Sequence, residues 1–257
     1  MGVKTKAFGR HAWTVLEGVA ALYDAAHYPP GSSESHLMAE FVLLLGSVIP
    51  CVYCRRSFRE FTCPGAPEID VWSYLTPKKG ARPLVWALHD LVNRKLRDQE
   101  VRQAVRFSDK QAVRRRWATK MLAWSQFRRK TPPDITSQAF WSSVVAFLGY
   151  IMCDFRGREW AKIQRFFGLL GVLLRPTGQT PVHTTQQKLV EAYESVLQES
   201  VRVWSARMSW HVRMDIVWSL QKRVFDVCHW RLEASRAGFE ARCQRAIVGC
   251  ATATVSS

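Results

Sequence analysis

Alternating apolar–polar runs are missing from this sequence. No stretch of useful length has the period of two that a half-buried strand requires, which argues against a β-sheet core. Glycine and proline are sparse, 14 and 11 of 257 residues, and aromatics are plentiful, so a wholly disordered chain is not expected. Long hydrophobic runs are lacking too. FVLLLGSVIP and GLLGVLL are each too short to cross a bilayer, so no transmembrane segment is expected. The start, MGVKTKAFGRHAW, has no apolar core of a secretion signal, and Lys6 stands where a myristoylation pattern needs Ser or Thr. The expectation is an intracellular protein. Acidic side chains are also scarce, 21 against 37 Lys and Arg.

What is present is helical periodicity. Trp13, Leu16, Ala20 and Tyr23 fall on one stripe of a helix over 9–26. YPPGSSES breaks the chain, and Ser33 or Ser35 is placed to cap a helix carrying Leu37, Phe41, Leu44 and Leu45. Pro50 suits the first turn of a helix running to about Phe61. Residues 83–98 place Val85, Leu88, Val92 and Leu96 together. Further amphipathic stretches cover 109–127, 137–152, 157–174 and a long region 184–247, separated by KTPPD and RPTGQTP. The fold class is all-α.

The net charge of +16 is uneven. Residues 1–107 hold 14 Lys and Arg against 10 Asp and Glu, whereas 108–257 hold 23 against 11. That shift suggests two domains, 1–107 and 108–257. The densest basic stretch, Lys110 to Lys130, suits an acidic partner or nucleic acid, or is simply a solvated helix face.

Seven cysteines, an odd number, argue against a dense disulfide framework. One close pair exists, in IPCVYCRRSFREF. Cys51 and Cys54 share a helix face, so their sulfurs can meet. A helix N-terminus stabilises a thiolate, and Arg55, Arg56 and Arg59 add positive charge. A redox pair is one reading. A zinc set of Cys51, Cys54, Cys63 and His89, a thioredoxin-like motif, and two buried cysteines without a role are the others.

The surroundings of the pair narrow these. Upstream stands FGRHAWTVLEGVAALY, with Gly9, Arg10 and Trp13; downstream stands WALHDLVNRKL, with His89, Val92, Asn93 and Leu96. Together with Cys51 and Cys54 they resemble the Erv/ALR family of FAD-linked sulfhydryl oxidases over roughly residues 7–100. The resemblance implies an FAD-binding bundle of four or five helices followed here by an additional helical part. It implies Cys51 as the sulfur attacked by dithiol protein substrates and Cys54 as the flavin-proximal one. Arg10, Trp13, Glu17, His89, Val92, Asn93 and Leu96 would line the cofactor, and O2 would accept the electrons and give H2O2. It also implies a homodimer. Glu17 and Asp90 depart from the family pattern, which has His and Asn there, and a late tryptophan that closes the site would be Trp117. If the chain is a viral-type member, cytoplasm or virion is its place. The alternative is a non-enzymatic basic helical module whose oxidase site has decayed. Many such oxidases carry a second, shuttling cysteine pair. Here Cys243 and Cys250 could serve only if the helix ends near Gly249, and direct entry of electrons at Cys51–Cys54 is expected instead.

Overall fold

The computed structural model describes residue 3 and residues 5–62, 68–76, 78–127, 131–154, 159–176, 181–205, 207–232 and 235–247, with only the backbone for 181–183. Among these the chain is helical, without a strand. The helices are α1 (Thr5–Ala26), α2 (Ser33–Val48), α3 (Val52–Thr62), α4 (Val71–Tyr74), α5 (Ala81–Gln103) and α6 (Phe107–Phe127). There follow α7 (Gln138–Cys153), α8 (Trp160–Leu173), α9 (Pro181–Ser200), α10 (Trp210–Val227) and α11 (Arg236–Ile247).

Local chemistry sets the ends. Ser32, not Ser33 or Ser35, caps α2: its Oγ accepts the Ser35 N–H at 3.2 Å. Ser35 is turned inward, where its hydroxyl meets Tyr23 Oη at 2.7 Å. Ser137 and Ser209 cap α7 and α10 in the same manner. The start of α5 has no capping side chain of its own, because Gly80 sits there at φ 86°. Asp24, from the end of α1, does the work: its carboxylate accepts the Ala81 N–H at 2.5 Å and the Arg82 N–H at 3.0 Å. A Cβ at position 80 would lie 2.7 Å from that carboxylate, so both the φ and the close approach require glycine.

The core is organised around α7. Its residues are buried almost all round, the mark of a helix enclosed by others. α1 and α10 pack on it, and α11 joins them. α2 lies against α8 and α3, α1 also against α5, and α6 against α5. At the α1–α7 crossing Gly18 leaves room for the Phe140 ring; a Cβ there would stand 2.9 Å from Phe140 Cζ. Phe41 of α2 stacks on Phe166 of α8 with centroids 4.7 Å apart. One continuous cluster of buried side chains therefore runs from Val3 to Ala246. The charge shift near residue 107 falls in the turn between α5 and α6, and residues on both sides of it share that cluster. The region 184–247, expected as one helical stretch, is divided among α9, α10 and α11. The short α4 carries no periodic signal and was not expected.

Candidate functional site

Cys51 stands immediately ahead of α3, at the N-cap position. Its Sγ accepts the N–H of Cys54 at 3.3 Å, and its carbonyl accepts the N–H of Arg55 at 2.9 Å. The Cys54 thiol points back, donating to Cys51 Sγ across 2.7 Å. Pro50 ends the preceding segment and orients this start. Cys51 is thus one position earlier than a first-turn residue. Its sulfur faces the helix's unsatisfied N–H groups, where negative charge on sulfur is stabilised. Cys51 is buried at 2 % exposure, while Cys54 is half-buried with Thr5 Oγ1 at 3.4 Å. Val3, itself buried, donates its N–H to the Pro50 carbonyl at 2.7 Å.

The three arginines behave differently from one another. Arg55 is buried, and its guanidinium bonds the Ile49 carbonyl and the Asp154 carboxylate, each at 2.6 Å. Its charge is matched by Asp154 rather than offered to the sulfurs. Arg56 is exposed and pairs loosely with Glu60 at 3.7 Å, and Arg59 donates to the Arg55 carbonyl. The helix start itself, more than the arginine run, is what favours a thiolate here.

A second constellation lies between α1, α5 and α6. The rings of Trp13 and His89 are 4.3 Å apart, and Trp124 of α6 packs edge-on against His89 at 3.7 Å. The late tryptophan at His89 is therefore Trp124, not Trp117. Trp117 sits two helical turns earlier and donates to Glu100. Asp90 accepts the Trp124 indole N–H at 2.9 Å. Glu17 is buried with Arg82, whose Nε lies 3.6 Å away, and Arg82 also stands over the Trp86 ring. Both acidic departures from the family pattern thus have partners. Trp86 Nε1 is buried without a hydrogen-bond partner.

These two constellations are joined by one stripe of α1. Thr5, Gly9 and Trp13 recur every four residues, so about 12 Å of helix separates the end at Cys54 from the end at His89. Between them Gly9 is half-buried, and a Cβ added to it would meet nothing closer than Thr5 Cγ2 at 3.8 Å. Open space at Gly9, one turn before Trp13 where it meets His89, with the orphan Trp86 indole N–H one turn before His89 on α5, suits a flat aromatic group. The residues present fit a flavin in this respect.

The remaining expected site residues divide. Val92, Asn93 and Leu96 are half-buried on α5, downstream of His89. Arg10 is exposed and lines a cavity on another side of α1, against α7 and α11 rather than beside His89. Cys63, the third member of the zinc reading, lies outside the described residues. Among those described, no group of three or more His, Cys, Asp or Glu side chains is placed to hold a metal. Cys243 is helical, and Cys250 lies outside the described residues. Sequence reasoning missed Arg82, Trp124 and Asp154. Only Trp124 left a signal, as the second tryptophan at two-turn spacing on a polar helix.

Comparison with known proteins gives two matches. Residues 10–118 match the Erv1/Alr family. Over 89 residues the sequence is 28% identical to the mitochondrial FAD-linked sulfhydryl oxidase ERV1 of Saccharomyces cerevisiae. That match covers 35% of this chain and 42% of the relative, so the chain spans less than half of the relative's length. No solved structure matches.

Proposed function

We infer that this chain, whose residues 10–118 match the Erv1/Alr family, oxidises thiols to disulfides with Cys51 and Cys54 as its redox pair. The observation that carries this reading is the placement of the pair. Cys51 caps α3, Cys54 lies 2.7 Å from it, and Thr5 beside Cys54 shares one stripe of α1 with Gly9 and with Trp13, which meets His89.

A substrate dithiol attacks the Cys51 sulfur of the Cys51–Cys54 disulfide, and Cys54 leaves as a thiolate. The second substrate thiolate attacks the mixed disulfide, releasing oxidised substrate and leaving the pair reduced. The α3 N-terminus stabilises the thiolate at each stage. Because Cys51 is 2 % exposed, attack requires a local opening around it. Cys54, beside Thr5 and facing the stripe, is the sulfur from which the electron pair leaves. Bound FAD supplies two-electron acceptance from a dithiol and transfer to O2, giving H2O2. Trp13, His89 and Trp124 would hold it by ring contact, with Val92, Asn93 and Leu96 along the same helix. The Glu17–Arg82 pair fixes the neighbouring wall. That Glu17 and Asp90 are each partnered supports a working site over a decayed one. Arg114, Arg115 and Lys120 are exposed around α6 and give it a basic surface that suits an acidic partner.

The test is the purified full chain. A flavin absorption spectrum, with oxygen consumption on adding dithiothreitol, is expected. A colourless protein that consumes no oxygen above background refutes the assignment.

A further inference from the structure

Cys153 ends α7 and Cys243 lies in α11, 90 residues apart in sequence and outside the constellations described above. Their helices are in register. Phe239 of α11 sits on Gly149 of α7, with its Cζ 2.7 Å from where a Cβ on that glycine would be. Four residues further along each helix, just over one turn, stand Cys153 and Cys243. The same offset sets the Cys153 side chain within hydrogen-bond reach of Cys243, and both residues are buried, at 8 % and 3 % exposure. Glycine at 149 is what lets the two helices come this close.

The two sulfurs differ in access. Cys243 lines a cavity of about 930 Å³, within the range of small-molecule sites, and Cys153 does not. Arg10 and His11 of α1 form one wall of the cavity, Tyr150 and Arg242 another, and Asp134 stands at its edge. Two guanidinium groups against one carboxylate favour an anionic occupant.

We propose that Cys153 and Cys243 form a second thiol–disulfide site, entered from the cavity at Cys243 by a small anionic disulfide and closing as a covalent bridge between α7 and α11. The Cys243 thiolate attacks one sulfur of the small disulfide. A mixed disulfide forms, one small thiolate leaves, and the Cys243 proton goes to solvent. Cys153 then loses its proton to solvent and attacks Cys243 Sγ, expelling the second small thiolate. Two protein thiols and one small disulfide become one protein disulfide and two small thiols. The hydrogen bond to Cys243, and then burial, push the Cys153 thiol well up. Once Cys243 is in the mixed disulfide the burial of Cys153 remains, so the second step quickens as pH rises. Neither Cys51–Cys54 nor a flavin takes part, so this site stands or falls independently of the proposed oxidase.

The experiment uses the full chain, as wild type and with Cys51→Ser/Cys54→Ser, incubated with oxidised glutathione. Samples are acid-quenched, denatured, alkylated with N-ethylmaleimide and mapped by peptide mass spectrometry. A linked Cys153–Cys243 peptide is expected in both proteins, while Cys228 remains alkylated. Cys153→Ser should leave Cys243 as a stable glutathione adduct, and Cys243→Ser should leave Cys153 as a free thiol. The neutral hydroxyethyl disulfide should react several-fold more slowly. If Cys243 stays as alkylatable as Cys228, or links to Cys250 instead, the proposal is overturned. Equal rates with the neutral reagent overturn the anionic preference. Circular dichroism of each variant confirms that the fold is intact, and the wild-type map stands even if a variant does not fold.

Discussion

The two thiol pairs of this molecule are built in opposite ways. Cys51 and Cys54 are three residues apart, and one helix start brings them together and favours charge on sulfur. Cys153 and Cys243 meet only because two helices, far apart in sequence, pack in register over Gly149. The first pair is poised for exchange by its local backbone. In the second, the contact with Cys243 keeps the proton on Cys153. Burial does not separate the pairs, since Cys51 is as covered as Cys243; the helix start beside Cys51 does.

The comparison breaks first on activity. Cys51→Ser and Cys54→Ser should each reduce dithiol oxidation to background, while Cys243→Ser retains wild-type turnover with dithiothreitol; oxygen-electrode rates on purified proteins decide it. Equal loss in all three would mean that the two pairs work in series. Next in size is the link between them. Arg55 follows Cys54 and Asp154 follows Cys153, and their buried ion pair joins the two neighbourhoods. Asp154→Ala should cost about 3–5 kcal/mol in urea unfolding, because a buried guanidinium is left without its counter-charge. Removing both partners, Arg55→Met/Asp154→Ala, should recover part of that loss. A smaller effect is expected at the aromatic cluster. Trp124→Ala should lower the flavin-to-protein absorbance ratio of the purified chain while Trp117→Ala leaves it near wild type; the reverse would restore Trp117 as the closing residue. The smallest is a pH effect beside the second pair. Burial, and then the charges of Arg10 and Arg242, lower His11 below its ordinary 6.5. The folded state thus favours neutral imidazole. The stability it contributes is full above 6.5 and is lost as pH falls through the folded value. His11→Asn should flatten that part of the stability–pH curve, as read by thermal melts between neutral and mildly acidic pH.

How much of this was legible follows from the same contrast. The helices and the Cys51–Cys54 pair rest on short spacings, and a period of 3.6 carries them in one dimension. Trp124 could not be chosen over Trp117, since both lie on one face of α6 and only its docking on α5 selects between them. Ser32 as cap, instead of Ser33 or Ser35, depends on Ser35 turning in to meet Tyr23. The break suggested near residue 107 came from surface charge, which says nothing about where buried side chains meet. Phe140 of α7 against Gly18 of α1 carries the core across that point. Cys153 and Cys243 left no sequence signal at all, for no spacing rule connects positions in different helices.

The carboxylate of Asp24, which closes the start of α5 from the far end of α1, makes two amide hydrogens into reporters. Helix ends ordinarily exchange with solvent early, because their first N–H groups have no partner along the chain. Those of Ala81 and Arg82 are held by a residue more than fifty positions away. Their exchange with deuterium is set by how often α1 parts from α5, not by fraying of α5. Two slow amides at a helix start would therefore time the opening of the bundle along the wall where Trp13 meets His89.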